Sequence, residues 1–198
     1  MAADIYEIGQ MRSRYQGCLL GGAVGDALGY PVEFMEEDAI RSRYGPGGIQ
    51  TLEQAGSPAL VSDDTQMTLF AANAIVYAGE QGKPLNECLW LAYGEWLGTQ
   101  GDTRRMKDPN EPAMWVYGVK RLHALRAPGG TCLSAIRTSP AGGTMHQPVN
   151  NSKGCGTVMR AAPFGLAVSA ADCLGGGLAA VHKMAACDAA LTHGHKLA

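Results

Sequence analysis

Two adjacent carboxylates, Asp63 and Asp64, stand between Ser62 and Thr65, just ahead of an apolar helical stretch from Leu69 to Ala78. Oxygen donors bunched at a helix start are what a hard cation such as Mg²⁺, Mn²⁺ or Ca²⁺ selects. The same residues also suit plain helix capping. Ser62 is a good N-cap, and acids in the first turn face the positive end of the helix dipole. One acidic pair supplies too few ligands, so the metal reading needs carboxylates from elsewhere. Glu33, in Pro31-Val32-Glu33-Phe34, is flanked by apolar residues and is a candidate ligand or proton acceptor; its plainer alternative is an exposed loop acid. A different chemistry is written in Gly154 and Gly156, which run into a helix start at Thr157-Val158-Met159-Arg160-Ala161-Ala162-Pro163-Phe164. Glycines and a hydroxyl in that position can bind phosphate through backbone N–H groups. The pattern matches neither a P-loop nor a dinucleotide fingerprint. His193 and His195 flank Gly194 and would bring two nitrogens to a metal, fewer than a zinc site uses.

These residues have to be positioned by helices. From Ile5 to Gly29 the pattern is helical, with Gly17, Gly21, Gly25 and Gly29 in one stripe where another backbone could approach closely. Asp26, Arg12 and Arg14 argue against a membrane dimer built on that spacing. Turn-rich loops follow at Tyr44 to Ile49 and Gly56 to Pro58. Beyond a linker at Gly79 to Lys83, Leu85, Cys88, Leu89, Ala92 and Trp96 keep 3.6-residue periodicity and predict an amphipathic helix. After the polar loop Gly101 to Pro112, a further helix is predicted through Trp115, Val119, Leu122 and Leu125, with His123 on it in a structural role. Pro128-Gly129-Gly130 stops it, and Thr131 to Ile136 reads as a short helix. Residues 138 to 156 form a long irregular loop, a kind of segment that often carries function. The Ala-rich stretch Leu174 to Leu191 is helical. No sustained period-2 run is found, so the fold class is all-α, with function on loops at helix ends.

The totals narrow the classes. The chain of 198 residues has 16 Lys+Arg and 18 Asp+Glu, a net charge of -2, and so no global attraction to nucleic acid or to membrane surfaces. Its basic groups lack the aromatic interleaving that stacks bases. Six scattered cysteines without a C-x-x-C pair favour reduced thiols. No apolar run approaches a membrane span and no secretory h-region is present, so a cytoplasmic protein is expected.

Four stretches, in order, resemble the ADP-ribosylglycohydrolase family. They are Gly17-Cys18-Leu19-Leu20-Gly21-Gly22-Ala23-Val24-Gly25-Asp26-Ala27-Leu28-Gly29 with Val32-Glu33-Phe34; Ser62-Asp63-Asp64-Thr65-Gln66-Met67-Thr68; Asn151 to Pro163; and Leu191-Thr192-His193-Gly194-His195. The resemblance implies an orthogonal multi-helix domain over 1–198, with two Mg²⁺ (or Mn²⁺) ions in a central cleft. It implies hydrolysis of the bond between ADP-ribose and a protein side chain, arginine before others. Ser62 (where Thr is more usual), Asp63 and Asp64 would hold metal, and Glu33 would position or deprotonate water. Asn151, Ser152, Gly154, Cys155, Gly156, Thr157, Met159 and Arg160 would line the ADP-ribose groove, and His193 would approach the phosphates.

Such chemistry suits the residue types. Cleavage at an anomeric carbon passes through an oxocarbenium-like state, so water and the ribose hydroxyls must be oriented. One departure stands out: family chains continue into an Asp-x-Asp-Thr metal motif, and nothing after Asp64 has that form. A C-terminally shortened family member is therefore expected. The partner would be an ADP-ribosylated protein or ADP-ribose. The alternative is a non-catalytic binding or immunity protein that neutralises a toxin ADP-ribosyltransferase, or a lens-crystallin-like structural relative. An isoprenoid-synthase reading of Asp63-Asp64 fails at Met67, where a further acid would be needed.

Overall fold

A computed structural model describes residues 5–171 and 177–198. Among these the chain is all-α, without strands: α1 (Ile5–Gly29), α2 (Glu37–Tyr44), α3 (Leu52–Ala55), α4 (Asp63–Gln81), α5 (Leu85–Thr99), α6 (Gly130–Thr138), α7 (Ala162–Ala171) and α8 (Gly177–Thr192). Leu174 to Gly176, the start of the last predicted helix, lie outside the described residues. No helix among them is long and apolar enough to cross a membrane. The chain divides into two compact units, Met1–Thr65 and Gln66–Ala198.

In the first unit, α1 packs against α3. Pro31 sits in a 3-10 turn, Tyr30–Val32, that ends α1. Within this unit, among the described residues, a Cβ added at Gly17, Gly21, Gly25 or Gly29 would meet no heavy atom within 4 Å. Leu20 and Val24, on the same helix, are exposed.

The second unit contains the core. Met67, Phe70, Ala71 and Ala74 of α4 cluster with Leu89, Ala92, Tyr93, Trp96 and Leu97 of α5, and with Ile136, Phe164 and Leu191. α8 packs on α5, α6 and α7. From Ala92 to Thr99 every residue of α5 is buried, so its second half is a central helix and not the amphipathic one its periodicity predicts. Close backbone approach occurs here instead. A Cβ on Gly94 would lie 2.6 Å from the Arg105 carbonyl oxygen, and one on Gly98 would lie 2.5 Å from Met106 Sδ.

The helix predicted through Trp115 to Leu125 is absent; two 3-10 turns, Trp115–Gly118 and Lys120–Leu122, replace it. Three buried polar side chains take the backbone groups that a helix would use internally. Glu95 accepts from the N–H groups of Ala113 (2.7 Å) and Met114 (2.9 Å), and Asn73 Oδ1 from that of Val116 (3.1 Å). Gln66 donates to the Leu122 and Ala124 carbonyls and accepts from Trp96 Nε1 at 3.1 Å. The residues facing the core are Met114, Val116 and Leu122, while Trp115 and Leu125 are exposed. His123 rests against Tyr117, with Nε2 2.6 Å from its carbonyl oxygen.

Burial pushes the Glu95 carboxyl above its ordinary range, and the two N–H bonds only partly offset this. Glu95→Gln keeps the size but turns an amide group toward a backbone N–H. It is expected to cost about 1–3 kcal/mol, read as a lower urea midpoint with an unchanged slope. A shift under about 0.5 kcal/mol would show that the 113–124 segment does not depend on this carboxylate.

Candidate active site

The acidic turn is built at the start of α4. Ser62 caps the helix, its Oγ accepting from the Asp64 N–H at 3.2 Å. Asp26, near the end of α1, reaches the same turn. Its carboxylate accepts from the Ser62 N–H (3.0 and 2.9 Å), the Thr65 N–H (3.1 Å) and the Thr65 hydroxyl. A helix start leaves N–H groups without internal partners, and an anion is favoured beside them. Asp26 supplies both the acceptor and the charge.

Sequence reading placed Asp26 in a motif but gave it no role in the site. The available signal was a lone acid in the otherwise apolar, glycine-rich stretch Gly17 to Gly29.

Ser62 and Asp63 are buried, whereas Asp64 and Glu33 are exposed. Glu33 is therefore less enclosed than its apolar neighbours in sequence suggest, and Phe34 is 82% exposed. Partial desolvation raises the Glu33 carboxyl above its ordinary value, and the charges of Asp64 and Asp26 raise it further. Asp64 is raised in the same way, by desolvation and then by Asp26. Glu33, Asp64 and Asp26 thus lie close enough to repel one another.

Hard oxygens in mutual repulsion fit a divalent cation in kind and in charge. They do not complete a ligand set: among the described residues no group of three or more His, Cys, Asp or Glu is arranged to hold one ion.

The glycine loop and His193 form a second cluster, in the 66–198 unit. A 3-10 turn, Cys155–Arg160, follows the loop and leads into α7. Asn150, which sequence reading passed over in favour of its neighbour, ties the loop to the end of α8. Its Oδ1 accepts from the N–H groups of Ser152 (2.9 Å) and Gly194 (3.2 Å), and its Nδ2 donates to the Thr192 carbonyl at 2.8 Å. The signal was an Asn two residues before a Ser, the spacing of an Asx turn. Asn151 itself is exposed.

Ser152 Oγ meets Thr131 Oγ1 at 2.9 Å and accepts from the Gly154 N–H at 3.3 Å. Glycine is required at 156, where a Cβ would lie 2.8 Å from Cys132 Sγ and 3.0 Å from His193 Cε1. Cys155 is exposed, and Met159 is partly buried against the core, its carbonyl accepting from the Thr68 hydroxyl at 2.7 Å. Thr157 is buried, and among the described residues its hydroxyl has no hydrogen-bond partner.

Arg160 departs from the groove-lining expectation, because its side chain is fully buried. Its Nε donates to Asp188 Oδ2 at 2.7 Å, and its Nη2 to the Asp188 carbonyl (3.0 Å) and Thr192 Oγ1 (2.9 Å). Its guanidinium lies over the Tyr93 ring, 4.6 Å from the centroid, and the Tyr93 hydroxyl donates to Asp188 Oδ1. A surface arginine could grip a phosphate, but one committed to an internal carboxylate serves to hold the loop, α5 and α8 together.

His193 is buried as well, with Nδ1 2.9 Å from Thr192 Oγ1. Burial, then the positive charge of Arg160, lowers it to about 4, so the ring is uncharged at neutral pH. His195 Nδ1 accepts from the Leu197 N–H at 3.1 Å.

ADP-ribosyl-[dinitrogen reductase] glycohydrolase of Rhodospirillum rubrum is 29% identical over 194 residues, covering 94% of this chain and 53% of that protein. The chain thus spans about half the length of this relative. No solved structure gives a significant match. The ADP-ribosylglycohydrolase family model matches residues 9–198, a span containing both the acidic turn and the His193 cluster, and the chain belongs to the ADP-ribosylglycohydrolase family.

Proposed function

We propose that residues 1–198 form one domain of a hydrolase that cleaves the bond between ADP-ribose and a protein side chain, arginine in particular. The observation that carries this reading is the crowding of Glu33, Asp64 and Asp26 at the capped start of α4. Such crowding of carboxylates is unfavourable by itself and would be relieved by Mg²⁺ or Mn²⁺, with two ions in a complete site. Ser62, Asp63, Asp64 and Glu33 are the proposed ligands and neighbours. Bound there, a divalent ion supplies Lewis acidity and a more acidic water.

The chain's own residues do the rest. Glu33, its carboxyl raised above its ordinary value by partial desolvation and then by Asp64 and Asp26, takes a proton from the attacking water. Asp26 holds the turn that aims Asp64. The loop from Ser152 to Met159, with His193, receives the ADP-ribose. The substrate class is an ADP-ribosylated protein, and the compartment proposed is the cytoplasm. The relative's name concerns dinitrogen reductase; no individual target is carried over from it.

The test is release of ADP-ribose from arginine-modified protein, with Mg²⁺ and with a chelator. Release should require Mg²⁺ and fall about 10²–10⁴-fold in Glu33→Gln. Calorimetry should show Mg²⁺ binding that is weakened in Asp64→Asn. Metal-independent release, or Mg²⁺ binding indifferent to both Asp63→Asn and Asp64→Asn, would overturn the proposal.

A further inference from the structure

Arg160 and Thr192 are fully buried and touch no surface where a ligand could lie, yet their hydrogen bonds end on His193. An arginine can only donate, so Thr192 Oγ1 accepts from Arg160 Nη2 at 2.9 Å. A threonine hydroxyl has a single proton to give. Thr192 Oγ1 has two partners, Arg160 and His193 Nδ1, and the first cannot accept. The oxygen has lone pairs enough to accept twice, but among the described residues Nδ1 is the one acceptor within reach of the hydroxyl proton, so the proton is assigned there and Nδ1 accepts. A neutral imidazole whose Nδ1 accepts must carry its proton on Nε2. That nitrogen faces the glycine loop, 3.4 Å from where a Cβ on Gly154 would stand and 3.4 Å from one on Gly156. Among the described residues no acceptor takes its proton.

We propose that Arg160 and Thr192 are positioning residues which lock His193 as the uncharged Nε2–H tautomer, presenting one hydrogen-bond donor to the Gly154–Gly156 loop. The inference rests on the reading above only in naming ADP-ribose as the occupant; the tautomer is argued from the hydrogen bonds around Thr192. It gives the two buried residues separate tasks. Arg160 orders the hydroxyl of Thr192, and its positive charge adds to burial in keeping a second proton off the ring. Thr192 passes that order on to Nδ1. A neutral donor of fixed direction selects a ligand oxygen by geometry, where an imidazolium would attract any nearby anion.

The experiment is long-range ¹H–¹⁵N spectroscopy of the histidine rings at pH 7, on the ¹⁵N-labelled full chain without ligand. The expected result is a His193 ring protonated at Nε2 and bare at Nδ1. A ring protonated at Nδ1, or at both nitrogens, overturns the proposal from the unsubstituted protein alone. Thr192→Val removes the hydroxyl at nearly constant volume and should release the ring into a mixture of tautomers; Thr192→Ser should restore the single one. A single Nε2–H tautomer persisting in a folded Thr192→Val chain would equally overturn it.

Calorimetry with ADP-ribose separates this inference from the reading beneath it. Binding should weaken about tenfold in Thr192→Val and recover in Thr192→Ser. If no form binds ADP-ribose while the spectra show the Nε2–H ring, the functional reading fails and the tautomer lock stands. If ADP-ribose binds a chain whose His193 carries its proton on Nδ1, the lock fails and the function stands.

Discussion

Replacing Asp188 with alanine is expected to destabilise the 66–198 unit by about 3–5 kcal/mol, the range for breaking one side of a buried ion pair. Asp188 and Arg160 are 1% and 0% exposed, and their salt bridge is 2.7 Å long. Burial disfavours the guanidinium charge, but the Asp188 carboxylate, with Tyr93 and Cys132, together outweighs that and raises the arginine further above its ordinary value. Removing the carboxylate leaves a buried cation unpaired and takes the acceptor from the Tyr93 hydroxyl, which burial has already raised well above its usual range. Urea unfolding of Asp188→Ala should show the loss as a lower midpoint.

A companion variant tests the cause. Arg160→Met combined with Asp188→Leu removes both charges and fills their space with apolar atoms. It should be less destabilised than Asp188→Ala alone, because neither charge is left unpaired. A single variant costing less than about 1 kcal/mol, or a double variant equal to the sum of its singles, would show that the pair is not the internal post assigned here.

Asp26→Ala should act on the other unit, and on function more than on stability. Four hydrogen bonds onto this carboxylate hold the Ser62–Thr65 turn. Bonds to an ionised acceptor contribute roughly 1.5–3 kcal/mol each when buried. Asp26 is only half-buried and its bonds share two oxygens, so a total loss of about 2 kcal/mol is expected. The turn also aims Asp64. Displacing a site residue by about 1 Å can lower a rate ~10²-fold, and the proposed ADP-ribose release should fall by about that much. Asp26→Asn keeps one acceptor oxygen and should fall between alanine and the native residue in stability. Full ADP-ribose release by a folded Asp26→Ala chain would show that Asp26 only shores up the helix.

What is legible in the sequence is what neighbours within a few residues decide. The span of α1, the cap at Ser62, the short helix before Thr138 and the all-α class each follow from periodicity, capping and turn chemistry. Those signals arise between residues three or four apart, so they survive without knowledge of the fold. The family motifs are legible for a different reason: their residue order is itself the observation.

Tertiary structure decided whatever depends on distant partners. Asp26 finds Thr65 across 39 positions, and Arg160 finds Asp188 across 28. Neither link leaves a local trace, so one residue was passed over and the other was assigned to a groove it does not line. The close approaches found lie at other glycines. The stripe on α1 is repeated and conspicuous but meets no backbone of its own unit, whereas Gly94 and Gly98 sit inconspicuously on α5 and admit the chain at Arg105 and Met106. At 113–124, the periodicity of Trp115 to Leu125 predicts a helix. Glu95, Asn73 and Gln66 hold that backbone more favourably in another shape, because buried N–H and C=O groups follow whichever partners the folded chain brings to them.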